Sequence, residues 1–261
     1  MRREQIGVAI ALALAGAGVG AAPAAGQQAA IDTAATNALG RMGRYLGTLT
    51  EMQVTATITR ESVLPDGQKI QNSANADLVA VRPNRLRVSV DGDRHQRLFL
   101  YDGKTFAMYA PNLRYYATAP APPSILLLAD TLEERFNIEL PLVDLFRWGT
   151  PEAPTSDIRS ARDLGPAPVG GVTCEHYAFR QDGLDWEVWI QRGEHPLPRR
   201  LVLNTLTDDA RPQYTATYTW NLAPSYNDGS FTFVAPPDAH AIAFSQVQPV
   251  YAPGQQVRRD K

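Results

Sequence analysis

The 261-residue chain carries one cysteine, four histidines and a formal charge of only −2. Each scarcity removes a class of function. With Cys174 alone, no intramolecular disulfide can form, so stability rests on the buried core. His95, His176, His195 and His240 show no short metal-ligand spacing. Cys174 and His176, two apart on a strand, share a face but lack a third and fourth ligand. A charge this close to neutrality gives no general attraction to nucleic acid or to an anionic membrane. G-x-S-x-G, H-E-x-x-H and glycine-rich phosphate-loop patterns are missing. Cys174 and His176 also lack the separate orienting partner that a nucleophile needs. Acid pairs occur at Asp182/Asp185, Glu133/Glu134 and Asp208/Asp209. They stand beside turns or on a helix surface rather than facing each other across a cleft, as glycoside hydrolysis would require. A non-enzymatic protein without cofactor or metal is expected.

Long apolar runs are equally scarce. The one candidate, residues 6–19, follows Arg2 and Arg3 and precedes the small residues of 20–25. It is shorter and richer in Ala and Gly than a membrane span of about 20 apolar residues. That pattern predicts a secretory signal peptide over residues 1–25, cleaved between Ala22 and Ala25, and export to the periplasm. No cysteine lies near the cleavage region, which excludes lipid attachment there. Residues 26–245 fit one large β domain. Residues 246–261, rich in Pro, Gln and charge, read as a flexible tail.

What the chain does have is hairpin chemistry. Asp-Gly pairs stand at 66–67, 91–92, 102–103, 182–183 and 228–229, and both residue types tolerate the positive φ of a tight turn. Apolar/polar alternation flanks most of them. Met52, Val54, Ala56 and Ile58 alternate with Gln53, Thr55, Thr57 and Thr59, the period of a half-buried strand. Further strands are predicted at 77–81, 85–90, 97–101, 104–109, 114–118, 176–180, 184–191, 199–205, 213–220 and 231–234. Helical spacing appears at 31–46, with Asp32 or Thr33 as cap, at 125–136 after the cap Ser124, and at 142–148. An antiparallel sheet with one apolar face must cover that face. These helical stretches are the sizeable apolar elements available to do so.

Five strings occur in order: Arg82-Pro83-Asn84-Arg85-Leu86, Tyr101-Asp102-Gly103-Lys104, 140–146 (LPLVDLF), 185–190 (DWEVWI) and Pro196-Leu197-Pro198-Arg199. Together they resemble a family of predicted periplasmic proteins, a domain of unknown function, over nearly all of the chain after the leader. That family is similar in architecture to the LolA/LolB lipoprotein carriers and the sensor domain of RseB-type regulators. The resemblance implies a mainly β (α+β) fold, a strongly curved antiparallel half-barrel with helices covering its concave face. No carrier motif matches positions here, so no functional residue is carried over.

Two uses of such a scaffold stay open. In the first, a monomeric carrier takes a lipid, an acyl chain or an acylated protein into the concave face. Its lining would be Leu126, Leu127, Leu132, Phe136, Leu145, Phe146 and Trp148, with residues 125–136 displaced as a lid. In the second, the half-barrel docks an envelope protein through Trp189 and the arginines Arg82, Arg85, Arg87, Arg94 and Arg97. Those arginines equally fit the solvated face of an edge hairpin, where positive charge discourages aggregation.

Overall fold

The computed structural model of the chain describes residues 31–153, 155 and 157–245. The leader expected at 1–25 and the tail expected at 246–261 lie outside them. Strands β1 (Glu51–Val63), β2 (Lys69–Val81), β3 (Arg85–Gly92), β4 (Gln96–Tyr101), β5 (Thr105–Ala110) and β6 (Tyr115–Pro120) form one antiparallel meander. A second meander contains β7 (Ser160–Val169), β8 (Val172–Gln181), β9 (Leu184–Gln191), β10 (Pro198–Thr205) and β11 (Gln213–Asn221). The two join where β1 pairs β11, from Gln53↔Asn221 to Arg60↔Tyr214. A short strand, β12 (His240–Ala241), adds parallel to β6, and the 12-stranded sheet stays open between β12 and β7. This is the expected antiparallel half-barrel, mainly β with its helices on one face.

Three of the five Asp-Gly pairs make the turns they promised, with positive φ at Gly67, Gly103 and Gly183. At the second of these, Asp102 Oδ1 accepts from the backbone N–H groups of Lys104 and Thr105, which locks the turn. Asp91-Gly92 instead ends β3, and the chain reverses over the next three residues, with Gly92 N–H bonded to His95 O. Asp228-Gly229 opens a single turn of 3₁₀ helix. β2 is longer than its apolar pattern suggested, because the mostly polar residues 69–75 pair with residues 57–63 of β1. The strand expected at 231–234 does not form. Phe231 is buried and Phe233 packs on Tyr109 and Tyr116, at centroid distances of 5.8 and 5.1 Å, so both aromatics cover the outer face of the sheet.

Helix α1 (Thr33–Thr48) starts at Asp32, whose Oδ1 accepts from Ala34 N–H at 2.8 Å. It buries Ala35, Ala38, Leu39, Met42 and Leu46 against the sheet. Helix α2 (Ile125–Phe136) is capped by Ser124 and stops at Asn137, which is left-handed at φ 52°. The Asn137 N–H bonds Glu133 O, the single bond of an αL cap, and the Ile138 N–H reaches back to Leu132 O. One turn, α3 (Asp144–Arg147), follows and buries Leu145 and Phe146. All three helices share one core with the inward residues of β1–β5 and β8–β11. Where α1 crosses the chain leaving α3, backbone meets backbone: a Cβ on Gly43 would lie 2.7 Å from Gly149 N.

Candidate functional site: an apolar cleft under the helical cover

Alternation on each strand and the register between strands decide what the concave face offers. One inward row runs Leu201–Ala216–Ile58–Ala74–Gly92 across five strands. Its neighbour runs Tyr218–Ala56–Ala76–Val90–Arg97. Small side chains hold half of these positions, so the sheet is shallowly filled here. Neither α1 nor α2 reaches over this end. A cleft of about 630 Å³ remains, within the ordinary range of ligand sites. Its floor includes Ile58, Ala74, Val90, Leu184, Leu201 and Leu203, with Tyr214 and Tyr218 from β11. Its roof is the segment between α2 and α3: Glu139, Leu140, Pro141, Leu142, then Asp144 and Leu145. The rim is ionic, with Arg60, Glu61, Asp93, Arg94 and His95.

Electrostatics in the cleft follow from this enclosure. Burial pushes the Asp144 carboxyl above its ordinary range, and Glu139 adds to it. Burial likewise raises the Tyr214 phenol to about 12, with help from Asp144 and Glu139. Tyr218 is shifted upward as well, by burial first and then by Tyr214 and Asp144. The site therefore presents neutral hydroxyls among apolar walls, beneath carboxylates.

Of the seven lining residues expected from sequence, only Leu145 borders this cleft. Leu132, Phe146 and Trp148 are buried in the core, Leu126 and Phe136 pack against it, and Leu127 is half exposed on the outside of α2. Displacing α2 would bare Ile125, Leu128, Ala129 and Leu132, each no more than 2% exposed. At roughly 1.5–3 kcal/mol per large side chain, that costs about 5–9 kcal/mol. A ten-carbon acyl chain returns about 8 kcal/mol before its own ordering costs. The existing cleft asks for no such exchange. The strand residues of the floor were missed because their alternation marks them only as inward; the room beside them depends on the cross-strand row.

The expected arginine patch divides. Arg85 and Arg87 face outward, and Arg85 is paired with Asp228 at 2.7 Å. Arg97 is inward, opposite Val90, and Arg94 stands on the cleft rim. Arg82, in the β2–β3 turn, lies 4.9 Å over the Phe146 ring and donates from Nε to Leu49 O at 3.1 Å. Its Nη2 is the one enclosed side-chain polar atom without a partner among the described residues. Trp189 is outward and held between two neighbours: His176 stacks on it at 3.8 Å, and the Arg200 guanidinium sits 5.1 Å from the ring centroid. His176 Nε2 also contacts Glu187 at 2.7 Å. Cys174 is fully buried and burial pushes its thiol up, away from the thiolate that chemistry would require. No cluster of three metal-ligating side chains occurs among the described residues.

The profile of a family described as predicted periplasmic protein (DUF2092) matches residues 35–245. No curated protein matches the chain. Among solved structures, LprF from Mycobacterium bovis aligns at 13% identity and TM-score 0.46, covering 80% of this chain and 99% of its own. The lipoprotein LppX of Mycobacterium tuberculosis aligns at 12% and 0.40, covering 75% of this chain and 100% of its own. A LolA superfamily protein from Nitrosomonas europaea gives 12% and 0.37, covering 76% and 97%. No helix among the described residues is long and apolar enough to cross a membrane.

Proposed function

This chain belongs to the family of predicted periplasmic proteins (DUF2092), and we propose that it is a non-enzymatic binding protein or carrier for an amphipathic ligand. The ligand is a lipid, a free acyl chain or the acyl group of a lipoprotein, taken up by a single copy of the exported chain. The observation that carries this reading is the cleft of about 630 Å³, apolar in floor and roof and ionic at its rim. An acyl chain lies along Ile58, Leu201 and Leu203, and a polar end meets Arg60, Arg94 or the tyrosines. Each buried methylene contributes about 0.8 kcal/mol, so one chain binds usefully and reversibly. Docking of an envelope protein on the outer face has less support, because the five arginines do not share a face. Organic extraction of the natively purified protein, followed by mass spectrometry, tests the proposal. A stoichiometric acyl compound is expected. A protein that is empty and also ignores fluorescent acyl probes would sink the reading.

A further inference from the structure

Given the acyl-binding role proposed above, we infer that the cleft selects neutral acyl compounds, esters or amides, over fatty-acid anions, with the Tyr218 hydroxyl donating to the ligand's carbonyl oxygen. Tyr218 lines the cleft, is 5% exposed, and makes no hydrogen bond among the described residues. The Tyr101 hydroxyl is taken up by the Pro122 carbonyl, whereas the Tyr218 oxygen is not sealed in the core and opens on the cleft. Tyr214, on the same inward face of β11, likewise makes no hydrogen bond among the described residues. A hydroxyl in that position is built to meet a polar atom arriving with the ligand.

The charges around it decide which polar atom. Glu61, Asp93, Glu139 and Asp144 border the cleft, against Arg60 and Arg94, with His95 beside them. Glu61 is held by Lys69 at 2.9 Å, and Asp93 accepts from Ser73 N–H at 2.6 Å. Arg60 has Glu139 at 3.9 Å as its partner. Asp144 has no ion pair among the described residues, and the Arg147 charge only partly opposes the rise of its carboxyl. Arg147, the nearest cation in sequence, is bound to Asp130 at 2.7 Å. A carboxylate beside Tyr218 would therefore face Asp144 and, next to it, the Arg60-paired Glu139, both open to solvent, so that a modest like-charge repulsion opposes it. An ester or amide carbonyl accepts the same hydrogen bond without that repulsion.

The test compares 1-monolauroylglycerol with laurate, two ligands sharing one chain, by calorimetric titration at pH 8. The glycerol ester is expected to bind about tenfold more tightly, the scale of one hydrogen bond plus one relieved repulsion. Tyr218→Phe weakens the ester about fivefold and leaves laurate within about twofold, since one neutral hydrogen bond is lost. Asp144→Asn tightens laurate and leaves the ester unchanged. Equal affinity for both ligands in the wild-type protein overturns the selectivity and leaves the cleft as an acyl site. Tighter binding of laurate also overturns it, and assigns Arg60 and Arg94 as a carboxylate clamp. Binding of neither ligand, in a protein that yields no extracted lipid, overturns the acyl site itself. The wild-type comparison stands even if a variant fails to fold.

Discussion

Truncating Leu132 to alanine separates a helix that is permanent core from one that lifts away as a lid. Leu132 is 1% exposed and packs in the shared core, whereas Leu127, five residues earlier on the same helix, is 50% exposed. Removing a buried leucine loses its transfer free energy and leaves a cavity, at about 2–5 kcal/mol. For a chain of this size, 3 kcal/mol lowers the thermal midpoint by about 6–12 °C. Leu127→Ala leaves no cavity and stays within about 0.5 kcal/mol of the wild type. The measurement is urea unfolding followed by tryptophan fluorescence, with Trp148 and Trp186 packed at 5.8 Å as reporters inside the same core. The m-value should match across the three proteins, so that midpoints can be compared directly. If Leu132→Ala costs no more than Leu127→Ala, α2 is not part of the cooperative core. A ligand could then displace α2 and would not depend on the existing cleft.

Gly149 is left-handed at φ 81°, and a Cβ there would sit 2.3 Å from Gly43 O; Gly170, at φ 55°, has nothing within 4 Å. Gly149→Ala is expected to cost about 2–5 kcal/mol and Gly170→Ala only about 1–2, the backbone share alone. Equal costs in urea titrations would refute the backbone contact between α1 and the exit of α3. Tyr101 and Tyr214 are both raised to about 12 from 10.0, so they hold their protons longer in the folded chain than in the unfolded one. Their contribution to stability is complete below pH 10 and lost as pH rises from 10 to 12. Thermal midpoints across that range, with absorbance at the phenolate band, check it, and a flat profile would contradict the burial of both phenols. Ala74→Trp fills the cleft floor. It should displace about four methylenes and weaken acyl-probe binding by about 3 kcal/mol, roughly 150-fold. An unchanged affinity would place the ligand elsewhere.

Much of the architecture was legible because its causes are local. Ser124 and the spacing of Ile125, Leu128, Ala129 and Leu132 define α2 to the residue. The alternation of Leu184, Trp186, Val188 and Ile190 defines β9 in the same way. Failures of the reading share a cause as well. Residues 69–75 are mostly polar, with Ile70 and Ala74 the exceptions, yet they form strand because they pair with residues 57–63 of β1. Phe231 and Phe233 look like strand residues, yet they serve as a cover for the outer face. After β12 the chain passes the sheet edge, and Phe244 reaches the inner side, 5.8 Å from Phe106 and 5.2 Å from Phe136.

The amino-acid sequence by itself determined the class of the fold and which faces are apolar. Periodicity and turn chemistry act within a few residues of one another, so they can be read along the chain. Where the cleft lies was decided only by tertiary structure. Its depth comes from Ala56, Ala74, Ala76, Ala216 and Gly92 meeting across four strands whose register no single segment specifies. The arginines that look like one patch in sequence were dispersed by the same register, because one residue along a strand changes the face. That no described residue accepts from the Tyr218 hydroxyl becomes visible only once the strands and the α2–α3 segment around it have been placed.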